Sequence, residues 1–299
     1  MISIAIAARF SECNIESIDT KLHTYAHSGD VKGLREALLV LSTSSARSGS
    51  NRNLINKRNH LGCTALRLAA TCGHTDCVDI LLSYEAKTDI ADIKGQTPLF
   101  VSVKNGHIKC VETLLWHGAN PEGGDDVMYS PLYIASMNGY NEILQLLIKY
   151  GADLNQRRIR VDRSFRNDPL QIAIAYHHYN CCKTLLCAGY DANAVAFSYT
   201  MYHVADKHKC DVKFLQLLYE FGVHFFTRDQ KGKYPWELEP SESKHSAICN
   251  KYLISIKENS RSLLSACRLT IRKSVRDIKT MNQLCLPVCL LDYLNYKHL

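Results

Sequence analysis

The stretch Gly95-Gln96-Thr97-Pro98-Leu99 decides the fold, because its last three residues return at a nearly constant spacing. The same phrase stands at Thr64-Ala65-Leu66, Ser130-Pro131-Leu132 and Asp168-Pro169-Leu170. The steps between the four copies are 33, 33 and 38 residues. A period of this length predicts a chain built from stacked supersecondary units.

A second, apolar phrase keeps the same period. The residues 14 positions after the start of each copy are Val78, Val111, Leu144 and Cys182. Those 17 positions after it are Leu81, Leu114, Leu147 and Leu185. A glycine follows in three of the copies, at Gly118, Gly151 and Gly189. Because the second phrase follows the first at the same distance in every copy, the copies are true repeats.

Each phrase has a physical role in a helical unit. Thr, Ser or Asp before the Pro is a helix N-cap, and Pro suits the first helical position. Gly73, Gly106 and Gly139 provide the positive φ that ends a short helix and turns the chain into a second one. Such a unit cannot bury its apolar face alone, so neighbouring units must stack. The repeats therefore predict an all-α chain.

The period and the Gly-x-Thr-Pro-Leu phrase resemble the ankyrin repeat. Gly106-His107 and His117-Gly118-Ala119-Asn120 extend the resemblance. Weaker copies stand at Thr20-Lys21-Leu22-His23 and Thr200-Met201-Tyr202-His203, and Gly232-Lys233-Tyr234-Pro235-Trp236 looks like a truncated last unit.

This resemblance implies an ankyrin-repeat solenoid over residues 20–255. It would hold about six repeats, of which the first and the last are degenerate. Residues 1–19 are then an N-terminal tail.

Two insertions interrupt the period. The Ser-rich stretch at 42–53 predicts a loop. The second insertion lies near residues 156–167 and carries Arg157, Arg158, Arg160, Arg163 and Arg166. One interpretation is a solvated surface loop, and a second is a patch that binds an acidic or phosphorylated target. A third, binding of a nucleic-acid phosphate backbone, is not supported by the mild net charge or by interleaved aromatic residues.

After the repeats, residues 261–272 have the pattern of an amphipathic helix. Leu263, Cys267 and Ile271 are four residues apart and share one face, while Arg272 and Arg276 make the opposite side basic. Periodicity alone favours a cap on the end of the repeat stack, since a solenoid end needs covering.

The residues of this helix also resemble the elongin-binding box of a SOCS box. That family pattern has a small residue, Leu, Cys and an aliphatic residue at the spacings of Ser262, Leu263, Cys267 and Ile271. An apolar helix face of this kind enters a groove on its partner.

The segment that follows resembles the cullin-binding box. Leu284, Leu286, Pro287, Leu290 and Tyr293 match its pattern, and Cys285 replaces the first proline of that pattern. The order of the two boxes, after ankyrin repeats, identifies the chain as a member of the ankyrin repeat and SOCS box family, with the box at 256–299. The phrases at 92–97 and 66–70 are closest to those of the founding member of that family.

The resemblance implies a substrate-recognition subunit of a ubiquitin ligase. Its partners would be elongin B and elongin C, cullin-5 with its RING partner, and a target protein that the sequence does not identify. The alternative is a non-catalytic ankyrin scaffold whose C-terminal helices only cap the solenoid.

Composition excludes several other classes. The net charge of +7 over 299 residues is too mild for a nucleic-acid binder, and no run reaches the roughly 18 apolar residues of a membrane span. The 13 cysteines form no Cys-x-x-Cys pair, which argues against a metal site or a disulfide framework. We expect reduced cysteines, such as Cys77, Cys110 and Cys182, to be buried as small hydrophobes. Reduced thiols favour the cytoplasm, with the nucleus as an alternative.

No catalytic motif is present in the sequence. It has no phosphate-binding loop, no dinucleotide-binding turn and no His-Glu-x-x-His. His177-His178 beside Cys181 is interpreted as a chance pairing within a repeat helix. The sequence therefore predicts a non-catalytic protein without a cofactor.

Overall fold

A computed structural model of the chain describes residues 15–45, 54–124, 128–155, 168–193, 200–225, 228–229, 231–237, 244–258, 262–275, 286 and 288–295. The chain divides into two compact units, one formed by 1–135 with 145–152 and one by 136–144 with 153–299. Every secondary-structure element in the described ranges is helical, which confirms the predicted all-α class.

The first unit is a series of helix pairs. Its helices are α1 (Ile15–Ser28), α2 (Val31–Ser45), α3 (Ala65–Cys72), α4 (Thr75–Ser83), α5 (Pro98–Lys104) and α6 (Ile108–Trp116). Two further helices, α7 (Pro131–Asn138) and α8 (Asn141–Lys149), cross the division between the units. First helices contact first helices (α1, α3, α5) and second helices contact second helices (α2, α4, α6), as stacked repeats require.

The recurring phrase caps the first helix of each repeat as predicted. The hydroxyls of Thr64, Thr97 and Ser130 each accept a hydrogen bond at 3.2 Å from the backbone N–H three residues later. The Asp168 carboxylate accepts the same bond at 2.9 Å. These bonds satisfy N–H groups that a helix start would otherwise leave without a partner.

The predicted apolar phrase forms the core. Its eight residues at the 14- and 17-residue offsets are all buried: Val78, Leu81, Val111, Leu114, Leu144, Leu147, Cys182 and Leu185. Cys77 and Cys110 are buried beside them, as expected for thiols that serve as small hydrophobes.

Consecutive repeats also interlock through a glycine and a histidine. At Gly73 a Cβ atom would stand 2.6 Å from the His107 ring of the next repeat, and φ is +76°. The His107 Nε2 donates to the Thr71 carbonyl oxygen at 3.1 Å. Within the second unit, the His178 ring lies as close to Gly139 and donates to Met137 O at 3.0 Å. The glycine is therefore required both by its φ and by the ring against it.

We predict that Gly73→Ala costs more stability than Gly118→Ala. Both residues have positive φ, so each substitution strains the backbone by about 1–2 kcal/mol. Nothing lies within 4 Å of a Cβ at Gly118, whereas at Gly73 the added methyl must displace the His107 ring. Urea unfolding of the two variants measures the difference, and equal losses would contradict the interlock.

The second unit continues the helix pairs and then, in its described part, has a 3-10 turn and three further helices. Its helices are α9 (Pro169–Ala175), α10 (Tyr179–Cys187), α11 (Met201–Lys207), α12 (Val212–Glu220), a 3-10 turn at Pro235–Glu237, α13 (Lys244–Glu258), α14 (Leu263–Ser274) and α15 (Val288–Leu294). The predicted truncated repeat has only the 3-10 turn in its described part, against which α11 and α13 pack. No helix in the described ranges is long and apolar enough to cross a lipid bilayer.

Two features of the sequence pattern do not coincide with helix ends. Thr20 lies inside α1, which begins at Ile15, because no proline follows Thr20 and the preceding residues are compatible with a helix. The expected loop at 42–53 starts later, since α2 runs to Ser45 and the Ser42 hydroxyl donates to Leu39 O at 2.8 Å. The rest of that stretch, 46–53, lies outside the described residues.

The core of the second unit is rich in thiols. Burial raises the pKa of the Cys181 thiol to about 11 and that of Cys210 to about 12. Burial also raises the pKa of Cys182 well above its ordinary value. The ten cysteines whose side chains the structure describes are free, so these thiols serve packing in their protonated form.

We predict that the free energy of unfolding falls above about pH 9 because of these thiols. Unfolded thiols ionise near their ordinary pKa of 9.0, whereas the folded ones stay protonated up to pH 11 or 12. The unfolded state is therefore favoured increasingly across that window. Urea unfolding between pH 8 and 10.5 should show a shallower pH slope for Cys181→Ala/Cys210→Ala than for wild type. The matched control is Cys267→Ala, which removes an exposed thiol in place of the two buried ones.

Candidate docking site on the C-terminal helices

Helix α14 begins at the predicted box. Ser262 is its N-cap, and the hydroxyl accepts a hydrogen bond from Ser265 N–H at 3.2 Å. Leu263 is the first helical residue, and its side chain lies outside what the structure describes. The cap fixes where the helix starts and therefore which residues share its faces.

One face of α14 is anchored on the repeats. The Arg268 side chain is almost fully buried, with 2% of the residue exposed, and it forms an ion pair with Glu220 at the end of α12. Leu269 lies against Gly222, where an added Cβ would stand 2.9 Å from the leucine methyl. Of the residues that the sequence assigned to the basic side, Arg272 lies on this face, whereas Arg276 lies outside the described residues.

Arg272 joins three elements at this anchor. One guanidinium nitrogen donates to the Cys187 carbonyl oxygen of α10 at 2.7 Å, and the other donates to Leu294 O of α15 at 3.2 Å. Each carbonyl ends a helix, where a cation is favourable. The anchor therefore couples α14 to both α10 and α15.

The other face of α14 is open. Cys267 is exposed and Ile271 is 37% exposed, and the two lie one turn apart, as the spacing predicted. We call Leu263, Cys267 and Ile271 the apolar stripe, with Leu263 assigned by its position in the helix. Because the Arg268 face makes the contacts with the repeats, capping does not explain the stripe.

The residues of the predicted cullin-binding box are described in part. Leu286 is 36% exposed and Leu290, in α15, is 43% exposed. Tyr293 lies in α15 with its side chain outside the described part, and Leu284 and Pro287 lie outside it altogether. Leu294, which follows Tyr293, is buried and helps to hold α15 in place.

The predicted arginine-rich insertion falls outside what the structure describes. Its five arginines, Arg157, Arg158, Arg160, Arg163 and Arg166, lie outside the described residues. The acidic pair Asp125-Asp126 of a neighbouring loop lies outside them as well.

The structure brings together one thiol and one imidazole that the sequence did not pair. Cys72 Sγ lies 3.3 Å from His27 Nδ1, although 45 residues separate them. Both residues lie in the last turn of their helices. Cys181, beside His178, has its pKa raised by burial, which disfavours a nucleophilic thiolate. Among the described residues, no group of three His, Cys, Asp or Glu could hold a metal ion.

Known proteins share this organisation. Residues 22–125 and 122–196 match the family of ankyrin repeats in three copies, and residues 259–295 match the SOCS box. The sequence is 44% identical over 283 residues to ankyrin repeat and SOCS box protein 1 from Mus musculus, which covers 86% of this chain and 82% of that protein. The chain belongs to the ankyrin repeat and SOCS box family. Ankyrin repeat and SOCS box protein 12 from Homo sapiens is 42% identical over 265 residues, with 82% of this chain and 83% of that protein covered.

A solved structure supports the fold independently. The crystal structure of the human ASB11 ankyrin repeat domain superposes with a TM-score of 0.61 and covers 81% of this chain and 99% of that chain. At 24% sequence identity this likeness concerns the fold alone.

We predict that Glu220→Gln loosens α14 from the repeats by about 2 kcal/mol. The substitution leaves the buried Arg268 cation without its carboxylate, and the cost is below that of a fully buried pair because the Glu220 side chain is one-third exposed. Hydrogen exchange of the α14 amides should quicken. The matched control is Glu258→Gln, at an exposed position in the same unit, and an equal effect of both substitutions would disprove the anchor.

Proposed function

We propose that this chain is the substrate receptor of a cullin-RING ubiquitin ligase, in which the ankyrin repeats bind a target protein and the SOCS box docks the ligase. The observation that carries the proposal is the two-faced helix α14. It is anchored on the repeats by Arg268 and leaves Cys267 and Ile271 exposed. Membership of the ankyrin repeat and SOCS box family supports the same function.

On the ligase side, the partner of the apolar stripe is the elongin B–elongin C pair. The stripe suits a helix-in-groove contact, with Leu263 as the large anchor and Cys267 as a small residue where a larger one would clash. Burial of such an anchor contributes about 2–4 kcal/mol.

The second contact is with a cullin, which we assign as cullin-5 with its RING partner. The exposed Leu286 and Leu290 are the described residues that this contact would cover. Leu284, Pro287 and Tyr293 are proposed from the sequence pattern. The replacement of a proline by Cys285 lowers the similarity to the box at that position.

In this proposal the chain positions the target protein and does not itself take part in the transfer of ubiquitin. Bringing a target lysine close to a ubiquitin carrier converts a slow bimolecular encounter into an effectively intramolecular one. The thiols of Cys181 and Cys210 are buried and protonated, which suits a packing role in such a receptor. Because reduced thiols persist in a reducing compartment, we assign the receptor to the cytoplasm or the nucleus.

The competing function is a scaffold whose C-terminal helices only cap the repeats. If the protein were such a scaffold, the function of α14 would depend only on the residues that hold it against the repeats. The exposure of Cys267 and Ile271 favours the receptor, because a cap has no use for an exposed apolar stripe.

We predict that Cys267→Glu and Ile271→Glu abolish assembly with elongin B and elongin C. Each variant is co-expressed with the two elongins, and a 1:1:1 complex is sought by size exclusion. The control is Ala266→Glu, which places the same charge one residue away at an exposed position off the stripe, and should assemble as wild type. If Cys267→Glu and Ala266→Glu assemble equally well, the stripe is not the elongin site.

We also predict that elongin B–C protects Cys267 from alkylation. In the free chain the exposed thiol should react with N-ethylmaleimide, whereas the buried Cys181 and Cys210 should not. Mass spectrometry of the labelled peptides, with and without the elongins, measures the protection. Equal labelling of Cys267 in both samples would contradict the proposed contact.

A further inference from the structure

Two neighbouring finger loops of the first unit expose large apolar side chains at their tips. Leu61 is 49% exposed and Ile93 is 70% exposed. The Ile93 N–H donates to Leu61 O at 3.3 Å, so the two tips adjoin. We call Leu61 and Ile93, with the exposed Arg58, His60 and Lys94 around them, the tip patch.

The loops that carry the tip patch are rigid. The side-chain oxygen of Asn59 accepts from the backbone N–H groups two and four residues later, at 3.0 and 2.9 Å. Asp92 accepts the equivalent two bonds at 2.8 and 2.9 Å, and its second oxygen pairs with Arg67 at 2.6 Å. A surface held in this way loses little conformational entropy when a partner binds.

The turn itself does not require apolar tips. In the second unit, Asp229 makes the same pair of bonds to the N–H groups two and four residues later, both at 2.8 Å. Two residues after Asp229, the position that Leu61 holds relative to Asn59, that loop has the polar and exposed Lys231. Leu61 and Ile93 are therefore not explained by the loop geometry, and exposed apolar side chains held together in this way mark interaction sites.

The charge of the tip patch selects the partner. Residues 57–62 and 92–95 contain Lys57, Arg58, His60 and Lys94 but only one carboxylate, that of Asp92. Asp92 is buried and paired with Arg67, so it does not offset the positive charge at the surface. A complementary partner surface is acidic and presents an apolar group to Leu61 and Ile93.

We propose that the tip patch is a docking site for a target protein, and that its occupant is an acidic segment with a large aliphatic or aromatic side chain. The inference rests on the proposed receptor function, because that function supplies the reason for a target. It adds the chemical class of segment that the repeats recognise.

The test uses a random twelve-residue phage-displayed peptide library as the probe. Selection is run on the full-length chain, alone and with elongin B–C. Enriched peptides should combine Asp or Glu with Leu, Ile, Phe or Trp. They should bind wild type at least tenfold more tightly than Leu61→Ser/Ile93→Ser, whose melting temperature should be unchanged because both residues are exposed. The control is Ile108→Ser, an exposed apolar position outside the tip patch, which should bind as wild type.

Charge reversal tests the electrostatic half of the proposal. Arg58→Glu/Lys94→Glu should bind the selected peptides at least tenfold more weakly, and should recover binding when their acidic residues are replaced by lysine. Selected peptides without an acidic bias would overturn the proposal. It would equally be overturned by peptides that bind Leu61→Ser/Ile93→Ser as tightly as wild type.

The two proposals fail separately. If the elongin complex forms but peptide binding does not depend on the tip patch, only the docking proposal is wrong. If no elongin complex forms while peptide binding still depends on Leu61 and Ile93, the ligase assignment is wrong and the docking site stands.

Discussion

The contact between a glycine of one repeat and a histidine of the next is the constraint on which the repeat structure depends. The Gly73 position has no room for a Cβ because the His107 ring occupies it, and Gly139 stands in the same relation to His178. Each ring also donates to a carbonyl at the end of the preceding first helix. Sterics and hydrogen bonding therefore set the same register, and that register in turn places the loops and the second helices.

The C-terminal box depends on a different kind of contact. A helix whose apolar stripe is exposed needs other contacts to hold it on its own chain, and α14 uses arginines for this purpose. Arg268 pairs with Glu220, and Arg272 holds two helix ends together. The charged face is thus the structural one and the apolar face is free, which reverses the usual arrangement of an amphipathic surface helix.

Local chemistry made much of this predictable. The caps at Thr97 and Asp168 and the i, i+4 spacing of Cys267 and Ile271 depend on residues close in sequence, so pattern alone located them. The partners of Arg268 and Arg272 lie 48 and 85 residues away, and no spacing rule connects such positions. The same holds for Leu61 beside Ile93, which adjoin only because successive loops stack. The weak copy of the repeat phrase at Thr20 does not mark a helix start, since the helix already begins at Ile15.

The glycine–histidine contact also has a consequence for how the chain acquires its structure. Its hydrogen bonds join residues 36 and 41 positions apart, so each repeat needs only its immediate predecessor to dock. Contacts of such short range lower the entropy cost of loop closure and favour folding that spreads from neighbour to neighbour. As the chain leaves the ribosome, repeats can therefore assemble in order from the N-terminus. The residues that anchor α14, Glu220 and Cys187, precede it in the chain, so the repeats that carry them are synthesised before α14.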